Sequence, residues 1–318
     1  MERKNVLLIA GGGTLGTYTA KALLSKGHCV DVICLEDNVS KDPRLRYFQG
    51  RITEETLPRF LEGKHYDGIV NFIHYKDHEE FRRVYPVLMA HTDHMIFLSS
   101  YRVYANEQHP ITEDAPRLLD VVKDPAFLET EDYAVPKSKC EDFLRGECAG
   151  QNWTVVRPVI SFSALRLDLF MHSKHTVPKK ALAGEPVLLP EYAKNLTAGL
   201  DWSGNSGMLI AGLLFNPETF GETYTISSGQ NLTWEQVAQL YSKLTGAEIR
   251  WVSEAEYLEK HPVRNGGVFA YYYDRKFDRP VDCTKILAAT GLKKEDLTPI
   301  EEGLKIELER AGYSFSLQ

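Results

Sequence analysis

The chain has 318 residues, of which 43% are hydrophobic and 25% are charged, with 23 glycines and 15 prolines. These values are ordinary for a globular protein, and they exclude a disordered, collagen-like or disulfide-stapled chain. No apolar run reaches the roughly 18–20 residues that a membrane-spanning helix requires. The segment Met1–Lys4 leads directly into an apolar, strand-like run rather than a signal peptide. We therefore expect a cytoplasmic protein with no membrane partner.

The formal net charge is −7, from 37 lysines and arginines against 44 aspartates and glutamates. A negative chain is poorly suited to the phosphate backbone of nucleic acid, which is therefore not an expected partner. The five cysteines form no CxxC pair. Two histidine pairs, His91 with His94 and His172 with His175, lack a third ligand nearby in sequence. The sequence therefore predicts reduced thiols and no metal site.

The first half of the chain alternates between strand and helix patterns. The predicted elements are a strand at 5–10, a helix at 16–26, a strand at 30–35, a helix at about 53–62, a strand at 68–73, a helix at about 77–90 and a strand at 94–99. Such alternation predicts an α/β fold with a Rossmann-like, doubly wound parallel sheet that is covered on both faces.

The second half is less regular. A polar loop with one short helix is predicted over 106–132, and a helix from about Asp132 or Tyr133, because Pro136 fits only a first helical turn. The later predicted elements are a strand at 153–157, an irregular stretch over 161–215 with Gly-Asn-Ser-Gly at 204–207, a strand at 223–226, a capped helix from Thr233 and, after 247, a strand, a helix, a tyrosine-rich loop and two short helices. We predict a dinucleotide-binding domain at 1–160 and a smaller, mixed substrate-binding part at 161–318, with about 223–246 returning to the first domain.

A glycine-rich turn links the first strand to the first helix, with Gly11, Gly13 and Gly16 at GxGxxG spacing. This spacing supplies a tight turn, close backbone approach to a pyrophosphate and close packing of helix on strand. The helix N-terminus then directs free N–H groups at the phosphates. Such turns also occur without a ligand, but the strand, helix and second strand around this one favour a dinucleotide. Thr14 and Leu15 belong to the same predicted binding turn.

The end of the second strand bears on the choice between NAD and NADP. An acidic residue there accepts from the ribose 2′-OH of NAD, whereas an arginine accommodates the 2′-phosphate of NADP. Glu36 and Asp37 stand at this strand end with no lysine or arginine beside them. We therefore expect NAD, with NADP left open, and Glu36 as a cofactor-binding residue. The alternative is that both acids belong to a solvated loop.

Tyr133 and Lys137 are one helical turn apart, which places a phenol and an ammonium on the same helix face. A neighbouring cation stabilises a phenolate, which suits a tyrosine to general acid/base chemistry. The pair follows Ser99 and Ser100, which stand at the end of an apolar strand, where ligands bind in open α/β sheets. A tyrosine and a lysine on an amphipathic surface helix are the alternative interpretation.

Four segments together resemble the extended short-chain dehydrogenase/reductases, the NAD-dependent epimerase/dehydratase family. They are the glycine turn, Phe97-Leu-Ser-Ser-Tyr-Arg-Val-Tyr104, Tyr133-x-x-x-Lys137 with Glu141, and Thr154-Val-Val-Arg-Pro158. The resemblance covers nearly the whole chain. Tyr66–Tyr75 and Ile111–Pro116 are similar to the sugar-nucleotide-epimerase-like subgroup that includes chloroplast stem-loop-binding proteins. The segments 225–230, 232–238 and 282–285 resemble the family's C-terminal part.

The resemblance implies NAD(P) on the glycine turn and Tyr133 as the catalytic acid/base. It further implies that Lys137 contacts the nicotinamide ribose and tunes Tyr133, and that Ser100 bonds the substrate hydroxyl. Ser100 is chosen over Ser99 because the family serine stands three residues before the Val103-Tyr104 pair.

Three departures from the family pattern stand out. Ala10 occupies the position of the family's first glycine, and the adenine-contacting acid of Gly-Asp-Ile is replaced in Gly50-Arg51-Ile52. We therefore expect Arg51 at the adenine end of the cofactor. Ser100 is followed by Tyr101-Arg102 instead of the Thr-Asp-Glu run of sugar dehydratases, which counts against 4,6-dehydration.

These observations favour an NAD-dependent epimerase-like enzyme that acts on a sugar or sugar nucleotide through a transient keto intermediate. One alternative is an NAD(P)-dependent dehydrogenase/reductase with net turnover of cofactor. Another is a non-catalytic, cofactor-binding protein that interacts with RNA or protein. Segment 161–215 is expected to line the substrate cavity, where Arg166, Lys194 and Asn195 are equally compatible with surface and ligand roles. A homodimer is left open.

Overall fold

The computed structural model describes residues 2–129, 133–264 and 267–315. In these residues the strands are β1 (Asn5–Ile9), β2 (Cys29–Cys34), β3 (Leu45–Gln49), β4 (Gly68–Asn71), β5 (Met95–Leu98), β6 (Trp153–Pro158), β7 (Ile160–Phe162), β8 (Val187–Pro190), β9 (Leu200–Trp202), β10 (Glu222–Ile226) and β11 (Ile249–Val252). The helices are α1 (Thr14–Ser25), α2 (Thr56–Leu61), α3 (His78–Met89), α4 (Leu118–Val121), α5 (Pro125–Leu128), α6 (Ala134–Gly146), α7 (Thr176–Ala183), α8 (Ser203–Leu213), α9 (Trp234–Thr245), α10 (Glu254–Lys260), α11 (Gly267–Ala270), α12 (Thr284–Thr290) and α13 (Ile300–Arg310). None of these helices is long and apolar enough to cross a bilayer.

Seven strands form one parallel sheet in the order β10-β6-β5-β4-β1-β2-β3. The chain winds outward from β1 in both directions, so β1 pairs with β2 on one side and with β4 on the other. The carboxyl end of β1, where the strand order reverses, is where ligands bind in such sheets. The predicted α/β fold with a doubly wound parallel sheet is confirmed.

The edge strand β3 has no counterpart in the sequence prediction. Its sequence, Leu-Arg-Tyr-Phe-Gln, mixes charged and apolar residues, and none of the five is fully buried. An edge strand that is covered on one side only lacks the continuous apolar pattern by which the other strands of a parallel sheet are recognised.

Helix α8 corrects the interpretation of 204–207 as irregular. Gly204 and Gly207 lie inside this helix, which packs along α1 on one face of the sheet. A Cβ atom at Gly207 would overlap the backbone of Tyr18 in α1. The glycines therefore allow close helix–helix packing. Their sequence resembles that of a loop, but the segment is helical.

The C-terminal half builds a second core beside the sheet. Two small parallel pairs, β7 with β9 and β8 with β11, surround a cluster of aromatic and aliphatic side chains that includes Phe170, Tyr257 and Tyr271. Strand β10 returns to the main sheet beside β6, whereas α9, which follows it, packs in the second core through Trp234 and Tyr241. The division at residue 160 stays a prediction.

The segment before the predicted catalytic helix contains two short helices, α4 and α5, where one was predicted. Tyr133 caps the N-terminus of α6, and Pro136 lies in the first helical turn, where its missing N–H has no intrahelical partner to lose. The alternative start at Asp132 lies outside the described residues.

His94 provides a test of the packing between β5 and β6. Its side chain is 1% exposed and Nε2 lies 2.8 Å from Thr154 Oγ1. Burial lowers the pKa of His94 to about 4. Because the unfolded chain then binds more protons than the folded one below the ordinary histidine pKa, stability falls as the pH is lowered from about 6.5 to 4.

The variant His94→Gln keeps a hydrogen-bond donor toward Thr154. We expect its free energy of unfolding to depend less steeply on pH, by up to about 1.4 kcal/mol per pH unit, which is the slope that one proton contributes. Urea unfolding between pH 4 and 7 measures the slope. His65→Gln, at an exposed histidine, controls for the chemical change itself. Equal slopes in His94→Gln and the wild type would show that His94 is not held neutral by the fold.

Candidate active site

The glycine turn lies at the carboxyl end of β1, and packing explains two of its glycines. A Cβ atom at Gly11 would lie 2.8 Å from Leu8 Cβ, and one at Gly16 would overlap the backbone of Gly11. Ala10 has a φ of 56°, a left-handed conformation that favours the glycine found there in the resembled family. Ala10 thus adopts a backbone conformation that glycine would adopt with less strain.

Gly13 differs from its neighbours because neither packing nor backbone conformation requires a glycine there. Its φ of −82° and ψ of −171° are open to any residue, and a Cβ atom would meet nothing within 4 Å. Gly13 also lines two neighbouring cavities, which are described below. A glycine at this position fits a turn whose backbone is approached closely by a ligand.

Two cavities meet at the turn, and both are lined by Ala10, Gly13 and Phe72. The first, here the tyrosine-side cavity, has a volume of about 440 Å³. The second, here the Glu36-side cavity, has a volume of about 730 Å³. The fold therefore presents two adjoining chambers around the N-terminus of α1, an arrangement suited to a two-part ligand with phosphates at its centre.

The predicted cofactor residues are divided between the two cavities. Thr14, Leu15 and Gly16 line the tyrosine-side cavity. Glu36 and Arg51 line the Glu36-side cavity, whereas Asp37 does not line it. The predicted acid and the predicted cation thus face the same chamber.

Ser100 and Tyr133 both line the tyrosine-side cavity. Ser100 follows β5, and its Oγ accepts from the Arg102 backbone N–H at 3.2 Å, which orients the hydroxyl group. Ser99 is fully buried and does not line this cavity. The positions of the two serines therefore favour Ser100 as the one that can meet a ligand.

Lys137 lies behind Tyr133 and is 1% exposed. Its Nζ donates to the Leu98 carbonyl oxygen and lies 5.0 Å from the centroid of the Tyr133 ring. The predicted tuning of Tyr133 by Lys137 stays a prediction. Lys137 is not among the described residues that line the tyrosine-side cavity. Its predicted contact with a nicotinamide ribose also stays a prediction.

Two further residues surround Tyr133 and were not predicted. The His74 ring packs on the Tyr133 ring with centroids 4.6 Å apart, and the Arg102 guanidinium lies 5.2 Å from the centroid of the same ring. Burial, reinforced by the charges of Lys137, Lys76 and Arg102, lowers the pKa of His74 to about 4. His74 is therefore neutral at physiological pH. Both residues lie within segments that carry the family resemblance, but only the fold brings their side chains to the tyrosine.

A buried ion pair holds helix α6 against β6. Both oxygens of Glu141 accept from Arg157, from Nε at 2.9 Å and from Nη2 at 2.6 Å, and both side chains are 0–1% exposed. Burial alone would raise the pKa of Glu141, but Arg157 and Arg145 lower it to about 2. Arg157 also lies over the Tyr104 ring at 4.6 Å. The two-bond geometry of the pair fixes the helix that carries Tyr133 and Lys137.

One histidine of each predicted pair contacts a neighbouring residue. His94 faces Thr154, and His172 Nε2 donates to the Leu188 carbonyl oxygen at 2.8 Å when protonated there. Within residues 2–129, 133–264 and 267–315, no group of three metal-ligating side chains is present. All five cysteines are free.

No family model and no curated protein sequence matches the chain. Solved structures do. The epimerase Mth375 from Methanothermobacter thermautotrophicus is similar with a TM-score of 0.73 at 15% identity, over 97% of this chain and 92% of that one. The UDP-glucose 4-epimerase of Thermus thermophilus, in complex with NAD, has a TM-score of 0.68 at 16% identity, over 97% and 99%. WbmG of Bordetella bronchiseptica, in complex with NAD and UDP, has a TM-score of 0.70 at 16% identity, over 98% and 96%.

The chain therefore has the Rossmann-like fold of these three structures over nearly its full length. At 15% to 16% identity the likeness establishes the fold, which the sequence resemblance predicted. The narrower resemblance to the subgroup with chloroplast stem-loop-binding proteins stays a prediction.

Gly13→Val tests whether the open space at the turn is a ligand site. We expect the variant to fold like the wild type, because the added atoms meet no protein atom near Cβ. We expect its NAD⁺ affinity to fall by at least about tenfold, or 1.4 kcal/mol. Thermal denaturation with and without NAD⁺ measures both effects, since a ligand of the folded state raises the melting temperature.

Gly146→Val is the matched control, because its Cβ also meets nothing within 4 Å and it lies far along α6. We expect NAD⁺ to raise the melting temperature of this control as in the wild type, and more than NADP⁺ does. An unchanged response to NAD⁺ in Gly13→Val would remove the glycine turn from the binding site.

Glu141→Leu tests the buried ion pair. The substitution leaves Arg157 buried without its carboxylate, and we expect a loss of about 3–5 kcal/mol in the free energy of unfolding. Glu147→Gln breaks a similar two-bond pair with Arg82 that is partly exposed, and we expect a loss below about 1 kcal/mol. Urea unfolding at pH 7 compares them. Similar losses in both variants would contradict the anchoring role of Glu141.

Proposed function

We propose that this protein is an NAD-dependent, epimerase-like enzyme that acts on a sugar or sugar nucleotide. The observation that carries the proposal is the meeting of Ser100, Tyr133 and the glycine turn in one cavity. An acid/base group and a dinucleotide-binding turn that face the same space are what a hydride-transfer enzyme requires.

The residues fit the dinucleotide on geometric grounds. The turn would hold the phosphates through Gly13, Thr14 and the free N–H groups of α1. Glu36 and Arg51 would meet the adenosine half in the Glu36-side cavity, and the acid favours NAD over NADP. When bound, NAD⁺ supplies a hydride acceptor and, after reduction, a hydride donor.

Tyr133 is proposed to move the proton. Its phenolate would take the proton of the substrate hydroxyl as that carbon is oxidised, and the resulting phenol would return it when the keto group is reduced from the other face. Ser100 would donate to the same substrate oxygen, and the buried Lys137 ammonium would stabilise the phenolate. The neutral His74 ring packs on the phenol and limits its rotation.

The similarity to solved structures supports this proposal. Mth375 and the Thermus thermophilus protein are epimerases, and the structures from Thermus thermophilus and Bordetella bronchiseptica contain NAD. We propose from this agreement of fold and site that the reaction returns the cofactor to its starting state.

Tyr133→Phe tests the acid/base role. The variant keeps the ring that packs on His74, so we expect normal folding and NAD⁺ binding, with kcat lower by about 10²–10⁴-fold. The assay is conversion of UDP-glucose and related nucleotide sugars to their epimers, with catalytic NAD⁺. Tyr272→Phe, at an exposed tyrosine, is the matched control and is expected to leave kcat unchanged.

Absorbance at the nicotinamide band, followed in the same assay, separates the two enzyme classes. Epimerisation leaves NADH at no more than the enzyme concentration, whereas a dehydrogenase forms NADH in step with product. A wild-type kcat in Tyr133→Phe would remove this residue from the mechanism, and stoichiometric NADH would replace the epimerase proposal with a dehydrogenase.

A further inference from the structure

The charge of the tyrosine-side cavity carries information about the substrate. Among the described residues that line it, two side chains carry a charge, Arg102 and Arg166, and both are cationic. This is unexpected in a chain with a net charge of −7. A cavity lined by charge of one sign concentrates ligands of the opposite sign.

Arg166 is held in place by a buried carboxylate. Its Nε donates to Asp168 Oδ2 at 2.5 Å, and the other oxygen of Asp168 accepts from the Lys174 backbone N–H at 3.1 Å. The Asp168 side chain is 4% exposed, whereas that of Arg166 is 47% exposed. In the described part of the chain, the terminal guanidinium nitrogens of Arg166 have no hydrogen-bond partner. Asp168 thus orients the Arg166 guanidinium through Nε, and the terminal nitrogens remain available to a ligand in the cavity that Arg166 lines.

The turn that carries Arg166 is itself ordered. Ser163 and Arg166 exchange backbone hydrogen bonds at 2.9 and 2.8 Å, and Ser163 Oγ lies 3.0 Å from Thr14 Oγ1 at the start of α1. Arg166 therefore has a fixed position relative to the glycine turn. An arginine that is oriented in advance loses less side-chain freedom when it binds a carboxylate or phosphate.

Arg102 brings positive charge next to the reacting groups. It stands two residues after Ser100, and its guanidinium lies over the Tyr133 ring. Its Nε lies 3.4 Å from Asp274, a buried carboxylate that also pairs with Arg275 and Arg279. In the described residues, the Asp274 carboxylate thus pairs with three guanidinium groups.

We infer that the substrate carries an anionic group, a carboxylate or a phosphate, on the sugar that is positioned between Arg102 and Arg166. This inference rests on the proposed function and specifies its substrate class. The anion would lie beside the hydroxyl that faces Ser100 and Tyr133, since these residues line the same cavity of about 440 Å³. Two guanidinium groups with buried acids behind them form charge-assisted bonds to such a group.

The test compares probes that differ in one charge. Affinities of the wild type for UDP-glucuronate and UDP-glucose, which differ by a carboxylate on the sugar, are measured by calorimetry with and without NAD⁺. The same measurement with glucose 6-phosphate and glucose, which differ by a phosphate, forms the second arm of the test. We expect the charged member of at least one pair to bind about 10–100-fold more tightly, as for hydrogen bonds to charged groups. The arm with the larger ratio identifies the anion.

The variants then locate the selectivity. In Arg166→Gln we expect the ratio to fall toward one, with the affinity for the neutral probe unchanged. Arg250→Gln is the matched control, because it removes one charge from an exposed arginine paired with Glu248 at 2.6 Å outside the cavity. We expect this control to keep the wild-type ratio.

Equal affinities for charged and neutral probes in both arms would overturn the inference. It would also be overturned if the ratio of charged-probe to neutral-probe affinity were as high in Arg166→Gln as in the control Arg250→Gln. Its failure is separable from that of the proposed function. A protein that responds to NAD⁺ without charge selectivity keeps the proposed function and loses the anion site. Charge selectivity without any response to NAD⁺ supports the anion site and contradicts the proposed function.

Discussion

Glu141 and Arg157 are removed from water together, and their two hydrogen bonds compensate for hydration that neither group could lose alone. Glu141 belongs to helix α6 and Arg157 to strand β6, so the pair sets how the helix lies on the sheet. Tyr133 caps this helix and Lys137 lies in its first turns. The position of Tyr133, the proposed acid/base, therefore depends on the buried Glu141–Arg157 pair, whose residues do not line the tyrosine-side cavity in the described part of the chain.

The opposite wall of the site depends on backbone shape. Gly11 and Gly16 allow α1 to pack tightly against the end of β1, and Gly13 leaves open the space between the two cavities. Helix α8 braces α1 from behind, where Gly207 lies against the backbone of Tyr18. The start of α1 and the helix that carries Tyr133 thus face the same tyrosine-side cavity, which suits the positioning that the proposed catalysis requires.

The sequence was sufficient for the parts of the structure that follow local rules. The glycine spacing, the alternation of strands and helices and the Tyr133/Lys137 pair are local patterns, and the predicted fold is confirmed. Edge strand β3 and helix α8 were missed because partial burial and small-residue packing do not show in hydrophobic periodicity. His74 reaches Tyr133 only through long-range folding, so no pattern in its own segment could predict this contact. The sequence left Arg166 open between a surface and a ligand role, and only the fold places it at the tyrosine-side cavity.

We propose above all that the two cavities form one dinucleotide site, with the reacting end at Tyr133. A crystal structure of the protein with NAD⁺ bound tests this proposal most directly. We expect the phosphates at Gly13, the nicotinamide in the tyrosine-side cavity and the adenine beside Glu36 and Arg51. Density for NAD⁺ in the reverse orientation, or at a site away from the glycine turn, would contradict the proposal.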